Sequence, residues 1–243
     1  EYLIHPCPDW VPAIYRNKRN KRILLLCRDR WTFNADKQRI SGDTPSPGGF
    51  ITRLFEKDNH INGVPIDPRG NVFSSQTIKL DLKTWNPLLS PWDMVPSIHI
   101  PPGGGLTPAL AKESLLMARD FFRNVFMQDI RLFACCSWIL NPDWEKMLPD
   151  SNMADFIRQS YAAPPLPGDQ KAGLFFVFGK DSGDFHNYPA DTSLEKAFHQ
   201  ILDSGQLLRS GIALFPAEHL ELYGNQYYRE QNMQRIFNRL KKQ

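Results

Sequence analysis

Apolar residues fall in short blocks along this chain, cut apart by prolines, glycines and polar clusters, and the spacing inside each block predicts its element. ILLLC (Ile23–Cys27) has the length and branching of a strand. Ala35–Gly49 is polar and loop-like, and Phe50–Glu56 fits strand or helix. Asn59–Asn71 carries an Asn-Gly turn signal followed by a Pro/Gly turn. QTIKLDL (Gln76–Leu82) alternates polar and apolar, as a half-buried strand does. Ser97–Ile100 is a strand that runs into the loop PPGGGLTP, and a helix opens at once. Thr107 suits its N-cap and Pro108 its first position, with Ala111, Leu115, Ala118, Phe122 and Val125 at helical spacing.

Arg131–Ile139 (RLFACCSWI) reads as another apolar strand. Asp150 or Ser151 caps a second helix with Met153, Phe156 and Ile157 on one face, and GLFFVFG (Gly173–Gly179) reads as a buried strand. Thr192 and Glu195 have capping-box spacing ahead of the stripe Leu194, Ala197, Phe198, Ile201, Leu202, which Gly205 ends. GIALF (Gly211–Phe215) is the last strand. Ala217–Lys242 reads as largely helical, with Arg239, Lys241 and Lys242 suited to its C-terminal end. Strands alternating with helices predict an α+β domain, a mixed and partly parallel sheet flanked by helices. The regular grammar occupies residues 76–243; residues 1–75 form a less regular strand-and-loop segment, separate or part of the same domain.

Composition narrows the class. The 243 residues are 42% hydrophobic and 23% charged, ordinary for a globular protein, and a net charge of +3 gives no reason to expect nucleic acid. No apolar run approaches the roughly 20 residues that span a bilayer. Cys7, Cys27, Cys135 and Cys136 make no CxxC spacing and no disulfide framework, so reduced thiols in a cytoplasmic protein are the simplest expectation. His5, His60, His186, His199 and His219 have no spacing to cysteines or carboxylates that suggests a metal. A chain that opens on Glu1 rather than Met leaves room for an upstream leader or domain. The basic run YRNKRNKR (Tyr15–Arg22) suits a phosphate, an acidic partner or RNA, but reads most simply as a solvated approach to a strand.

PPGGGLTP is the segment best suited to chemistry. A helix start leaves N–H groups without partners and carries partial positive charge, and glycines let a ligand approach the backbone. It is neither a Walker loop, since no Gly-Lys-Ser/Thr follows Gly105, nor GxGxxG, since position 108 is Pro. On these residues alone a phosphate cradle and a tight strand–helix turn both stand.

VPSIHIPPGGGLTP (Val95–Pro108), FACCSWILNP (Phe133–Pro142) and PDSNMADF (Pro149–Phe156) together resemble bacterial acyltransferase-like proteins with a GNAT-like C-terminal domain, often behind a separate N-terminal domain. The segment from Gly63 to Asp93, DTSLEKAFHQIL (Asp191–Leu202) and GIALFPAE (Gly211–Glu218) extend the resemblance over roughly residues 60–230. It implies a GNAT-like sheet, acyl-CoA as co-substrate without a metal, and an amine, on a small molecule or peptide, as acceptor. In that superfamily the loop Gln/Arg-x-x-Gly-x-Gly/Ala holds the CoA pyrophosphate. Here Gly103 and Gly105 match and Ile100 departs, so the resemblance assigns the phosphates to Gly103, Gly104, Gly105, Leu106 and Thr107.

The resemblance also implies catalytic roles. His99, at the end of the strand that lies along the thioester, would be the general base, and it faces away from Ile98 and Ile100. Tyr161 would protonate the leaving thiolate, and Ser137 would orient substrate or the histidine. Each has a plainer reading: a half-buried histidine bonded to the loop, an aromatic packed at a helix end, small residues buried in a central strand. Two other functions fit: a non-catalytic GNAT-like ligand-binding or interaction module, and a hydrolase or transferase with Cys136 or Ser137 as covalent nucleophile. No G-x-S-x-G elbow surrounds Ser137.

Overall fold

The apolar run Leu132–Ser137 serves two cores at once. Leu132 and Ala134 pack in one cluster, Phe133 and Cys135 in another, the period of two that a pleated strand imposes. The computed structural model describes residues 1–72, 77–90, 92–101, 105–231 and 236–238. Its strands are β1 (Tyr2–Pro6), β2 (Ala13–Asn17), β3 (Ile23–Leu26), β4 (Thr32–Phe33), β5 (Arg39–Ile40), β6 (Phe50–Ile51), β7 (Phe55–Lys57), β8 (His60–Gly63), β9 (Pro65–Ile66), β10 (Ile78–Asp81), β11 (Trp85–Pro87), β12 (Met94–Ile98), β13 (Leu132–Ser137), β14 (Tyr161–Ala163) and β15 (Gly211–Pro216). The helices are α1 (Pro108–Phe126), α2 (Trp144–Met147), α3 (Asn152–Gln159), α4 (Leu174–Phe178) and α5 (Ser193–Asp203).

The main sheet runs β1-β12-β13-β15-β14; its β12–β13 pair is parallel and the others antiparallel. Helices α1, α3 and α5 bury Leu115, Phe122, Phe156, Phe198 and Ile201 against one face. Against the other face lies a second sheet, β11-β2-β3-β9. Strand β3 is buried on both sides: Ile23 and Leu25 face the main sheet, while Leu24 and Leu26 join Ile61, Ile78 and Leu80 of a third sheet, β10-β8-β7. This is the expected α+β class. The two sides of residue 75 share sheets through the β1–β12, β2–β11 and β8–β10 pairs. No described helix is long and apolar enough to cross a membrane.

Local signals hold where they are complete within one turn. Thr192 accepts from the Glu195 N–H at 3.2 Å while the Glu195 carboxylate accepts from the Thr192 N–H at 2.8 Å, a full capping box. Ser151, rather than Asp150, caps α3.

Four expectations fail for tertiary reasons. Asn62 and Gly63 lie inside β8; the hairpin turn falls on Asp58 and Asn59, with φ 51° and 60°. Val125 belongs to no core and is exposed. GLFFVFG forms helix α4, with Phe175 and Phe176 outside the core. Beyond Pro216 the chain makes a 3-10 turn at Ala217–Leu222 and further turns, and is helical again only at 236–238 among the described residues; Arg239, Lys241 and Lys242 lie outside them. The reason is visible in packing, since Tyr223, Tyr228 and Phe237 join three different apolar clusters on different layers. One straight helix puts its apolar stripe on one face only.

Candidate active site

Strands β12 and β13 share a single register pair, Ser97 with Ala134, and then part. His99 is held from the opposite side, its N–H donating to the Glu1 carbonyl at 2.9 Å and its carbonyl accepting from the Glu1 nitrogen at 3.0 Å. Backbone groups alternate in direction along a strand, so those of Ile98 face the gap. The Ile98 carbonyl accepts from the Cys135 thiol at 3.3 Å.

Two cavities flank this strand end and share Ile98, His99, Ile100, Pro101 and Ile139. The larger, about 1290 Å³, opens between the parted strands and is lined by Cys136, Ser137, Trp138, the loop from Asp169 to Gly173, and α4. The smaller, about 440 Å³, lies against α1 and α3 and is lined by Tyr2, Leu106, Leu110, Ala111, Leu115 and Phe156 among others.

Helix α1 begins at the smaller cavity. Gly105 takes φ +74°, which only a glycine adopts without cost, and lines that cavity together with Leu106. Thr107 caps the helix, its Oγ1 accepting from the Leu110 N–H at 3.4 Å and its carbonyl from the Ala111 N–H at 3.0 Å. Pro108 has no N–H to give. The N–H groups of Leu106, Thr107 and Ala109 find no acceptor among the described residues, and no acidic side chain sits in the first turn. This end of a 19-residue helix is an electropositive, donor-rich surface. Gly103 and Gly104 lie outside the described residues.

The structure brings His99 and Ser137 to one cavity. Ser137 Oγ accepts from the Ile139 N–H at 3.4 Å and caps the 3-10 turn at Trp138–Leu140. Tyr161 is not brought there. It opens strand β14 rather than closing a helix, and it is fully buried on the opposite face of the sheet. Its hydroxyl donates to the Ile66 carbonyl at 2.7 Å, its ring packs 5.2 Å from that of Tyr228, and burial holds its pKa well above the ordinary phenol range. A group so enclosed touches neither cavity.

The thiols are equally unsuited to attack. Burial pushes Cys136 up to about 11, against a smaller lowering by Arg39, and Cys135 up to about 12. A thiol at those values carries almost no thiolate at neutral pH. Among the described residues no group of three or more His, Cys, Asp and Glu side chains is placed to hold a metal ion. The basic run divides: Tyr15–Asn17 end strand β2 with Tyr15 and Asn17 buried and Arg16 paired to Glu218 through two contacts of 2.6 and 2.8 Å, while residues 18–21 form an exposed turn in which the Lys18 amine donates to the Leu82 carbonyl at 2.7 Å.

Sequence reasoning missed the aromatic wall of Trp138, Phe175 and Phe176, and the acidic groups Asp169 and Asp181 beside it. The available signal was the glycine at each end of the Phe-rich run, Gly173 and Gly179, both at positive φ.

A family model described as GNAT-like C-terminal domain matches residues 33–215. No curated protein sequence matches the chain. Among solved structures, an acyltransferase in complex with CoA and 10C-teicoplanin is similar at 24% identity and TM-score 0.46, over 68% of this chain and 46% of its own. An acyltransferase in complex with decanoyl-CoA is similar at 21% identity and TM-score 0.45, over 67% of this chain and 46% of its own. The chain thus spans about half the length of these structures, whose ligands are their own.

Proposed function

The chain belongs to the GNAT-like C-terminal domain family, and from that premise we propose that it transfers an acyl group from acyl-CoA to an amine. The observation that carries this reading is the parting of β12 and β13 beside the start of α1. An extended thioester fits along the free strand edge while its phosphates meet the N–H groups of Leu106, Thr107 and Ala109 at the start of α1.

His99 is the general base. A neutral amine attacks the thioester carbon, the C–N bond forms, and the C–S bond breaks. One amine proton passes to the imidazole and from there, directly or through water, to the leaving thiolate. The products are an amide and free CoA. Ser137, in the same cavity, is a substrate contact. Attack is direct, because Cys136 is protonated and, among the described residues, Ser137 Oγ is hydrogen-bonded to the Ile139 N–H and to no histidine or carboxylate that could activate it. Tyr161 takes no part, since its hydroxyl is enclosed on the other face.

The test is calorimetric titration with acetyl-CoA and longer acyl-CoAs, with Ala109→Glu as the control. A carboxylate in the first turn stabilises the helix yet repels phosphate. Affinity should fall at least about tenfold while thermal stability holds or rises. Once an acceptor is found, His99→Ala should reduce turnover at least about 100-fold. No acyl-CoA binding by the intact chain, or near-normal turnover in a folded His99→Ala protein, would overturn the respective part.

A further inference from the structure

The two cavities differ in what they offer. The smaller one touches the start of α1, where phosphates are favoured, and is walled mainly by aliphatic side chains, with Tyr2 and Phe156 among them. The larger touches no residue of α1. It reaches the same strand end from the other side, through Trp138, Asp169, Lys171, Phe175, Phe176 and Asp181. With the CoA phosphates at the start of α1 and the thioester at the strand end that both cavities share, the rest of the larger space, toward Trp138 and α4, is left for the acceptor.

Its aromatic wall is preformed. Gly173, at φ +88°, lies so close to the Trp138 indole that a Cβ there would come within 2.8–2.9 Å of three ring atoms. The loop is thereby seated on the indole, and α4 rises from it with Phe176 stacked on Trp138 at 6.1 Å and 15°. Phe175 and Phe176 are nevertheless 60% and 74% exposed, and both line the cavity. Phe178, at the end of the same short helix, packs inward on Tyr188 and Phe198. Two adjacent exposed rings on an anchored helix at a cavity wall are a surface that lacks its flat partner.

The charge at this wall is acidic. Asp169 uses one oxygen to accept from the Lys171 and Ala172 N–H groups at 2.5 and 2.6 Å, and its other oxygen has no partner among the described residues. Asp181 meets Lys171 only at 3.9 Å, both side chains being about half exposed or more. Two carboxylates against one lysine favour a cation over an anion, the opposite of the α1 side.

We infer that the acyl acceptor is a cationic arylalkylamine, its flat ring stacked on Phe176 and edge-on to Phe175, whose ring stands 80° to that of Phe176, and its amine reaching from Asp169 and Asp181 toward His99. This rests on the acyltransferase reading for the word acceptor, whereas the binding it predicts does not. The ammonium releases one proton to water before attack, and the neutral amine then reacts as written above.

The test is calorimetric titration of the whole chain with 2-(2-naphthyl)ethylamine, with n-hexylamine (charge without ring) and 2-naphthylethanol (ring without charge) as comparisons. The arylamine should bind at least about tenfold more tightly than either. Phe176→Ala should weaken it about fivefold or more, as should Asp169→Asn with Asp181→Asn, while acetyl-CoA affinity stays unchanged. Asp169→Asn keeps an oxygen for the loop N–H groups, and Phe176→Leu removes the ring with less loss of bulk, so misfolding is separable from lost recognition. Equal binding of hexylamine, or unaltered arylamine binding in Phe176→Ala, would overturn the inference. So would a Phe176→Ala protein that loses decanoyl-CoA affinity relative to acetyl-CoA, since the wall would then hold the acyl chain. Arylamine binding without any acyl-CoA binding would support the site and overturn the acyltransferase reading alone.

Discussion

Replacing Phe198 by Ala tests the packing that holds the candidate site. Phe198 is fully buried on α5, with ring centroids of Trp138, Trp144 and Phe178 at 5.9, 5.3 and 5.8 Å. Truncating a buried Phe costs about 3–5 kcal/mol, the spread reflecting how far the site collapses. Here the neighbours are three large rings on three separate elements, each fixed elsewhere, so collapse is limited and the upper part of the range applies. Alanine's better helix propensity returns about 0.5 kcal/mol. The net loss should be about 3.5–4.5 kcal/mol, a large fraction of a typical total of about 5–15. Urea unfolding followed by tryptophan fluorescence and far-UV dichroism measures it, with an unchanged slope showing that the denatured state is unaltered. Met117→Ala, on the exposed side of α1, should change stability by less than about 0.5 kcal/mol. Because Phe198 backs Trp138, the folded fraction should also lose near-ultraviolet dichroism and arylamine affinity. A loss below about 1.5 kcal/mol would refute the described ring cluster.

Three further outcomes follow from the same geometry. Cys136, raised by burial from 9.0 to about 11, should react with iodoacetamide about 100-fold more slowly at neutral pH than an unperturbed thiol, read by mass spectrometry. Fast labelling blocked by substrate would instead revive a covalent mechanism. His219 is held neutral, chiefly by burial, so its pKa lies below the ordinary 6.5, and its Nδ1 meets the Tyr228 hydroxyl at 2.7 Å. The unfolded chain binds that proton first, so this contribution is complete above about pH 6.5 and declines as pH falls through the depressed value. Unfolding free energies between pH 7 and 5 should fall less steeply in His219→Asn, and an identical slope would contradict the assignment. Thr107→Ala should cost about 0.5–1 kcal/mol in chemical unfolding, the low end for an N-cap because the bond is long at 3.4 Å; a loss above 2 would show a role beyond capping.

What the sequence determined by itself is what closes within a turn or along one strand. The capping box at Thr192 and Glu195, the Thr107–Pro108 helix start and the two-sided alternation of Leu132–Cys135 each involve neighbours a few residues apart, so their physics is local. The segments that carry the resemblance are of the same kind, which is why the family was legible. Tertiary structure decided the rest. GLFFVFG has no period to separate strand from helix, and its answer came from Gly173 seating on a Trp138 that lies 35 positions earlier. Tyr161 joined the core rather than the site because β14 pairs with β15, about 50 residues further on. The gap at His99 exists because β12 and β13 part after one register pair, a property of two strands separated by the whole of α1. Local residues specify what an element is; only the pairing of distant strands leaves a backbone edge unpaired, and that edge is where chemistry has room.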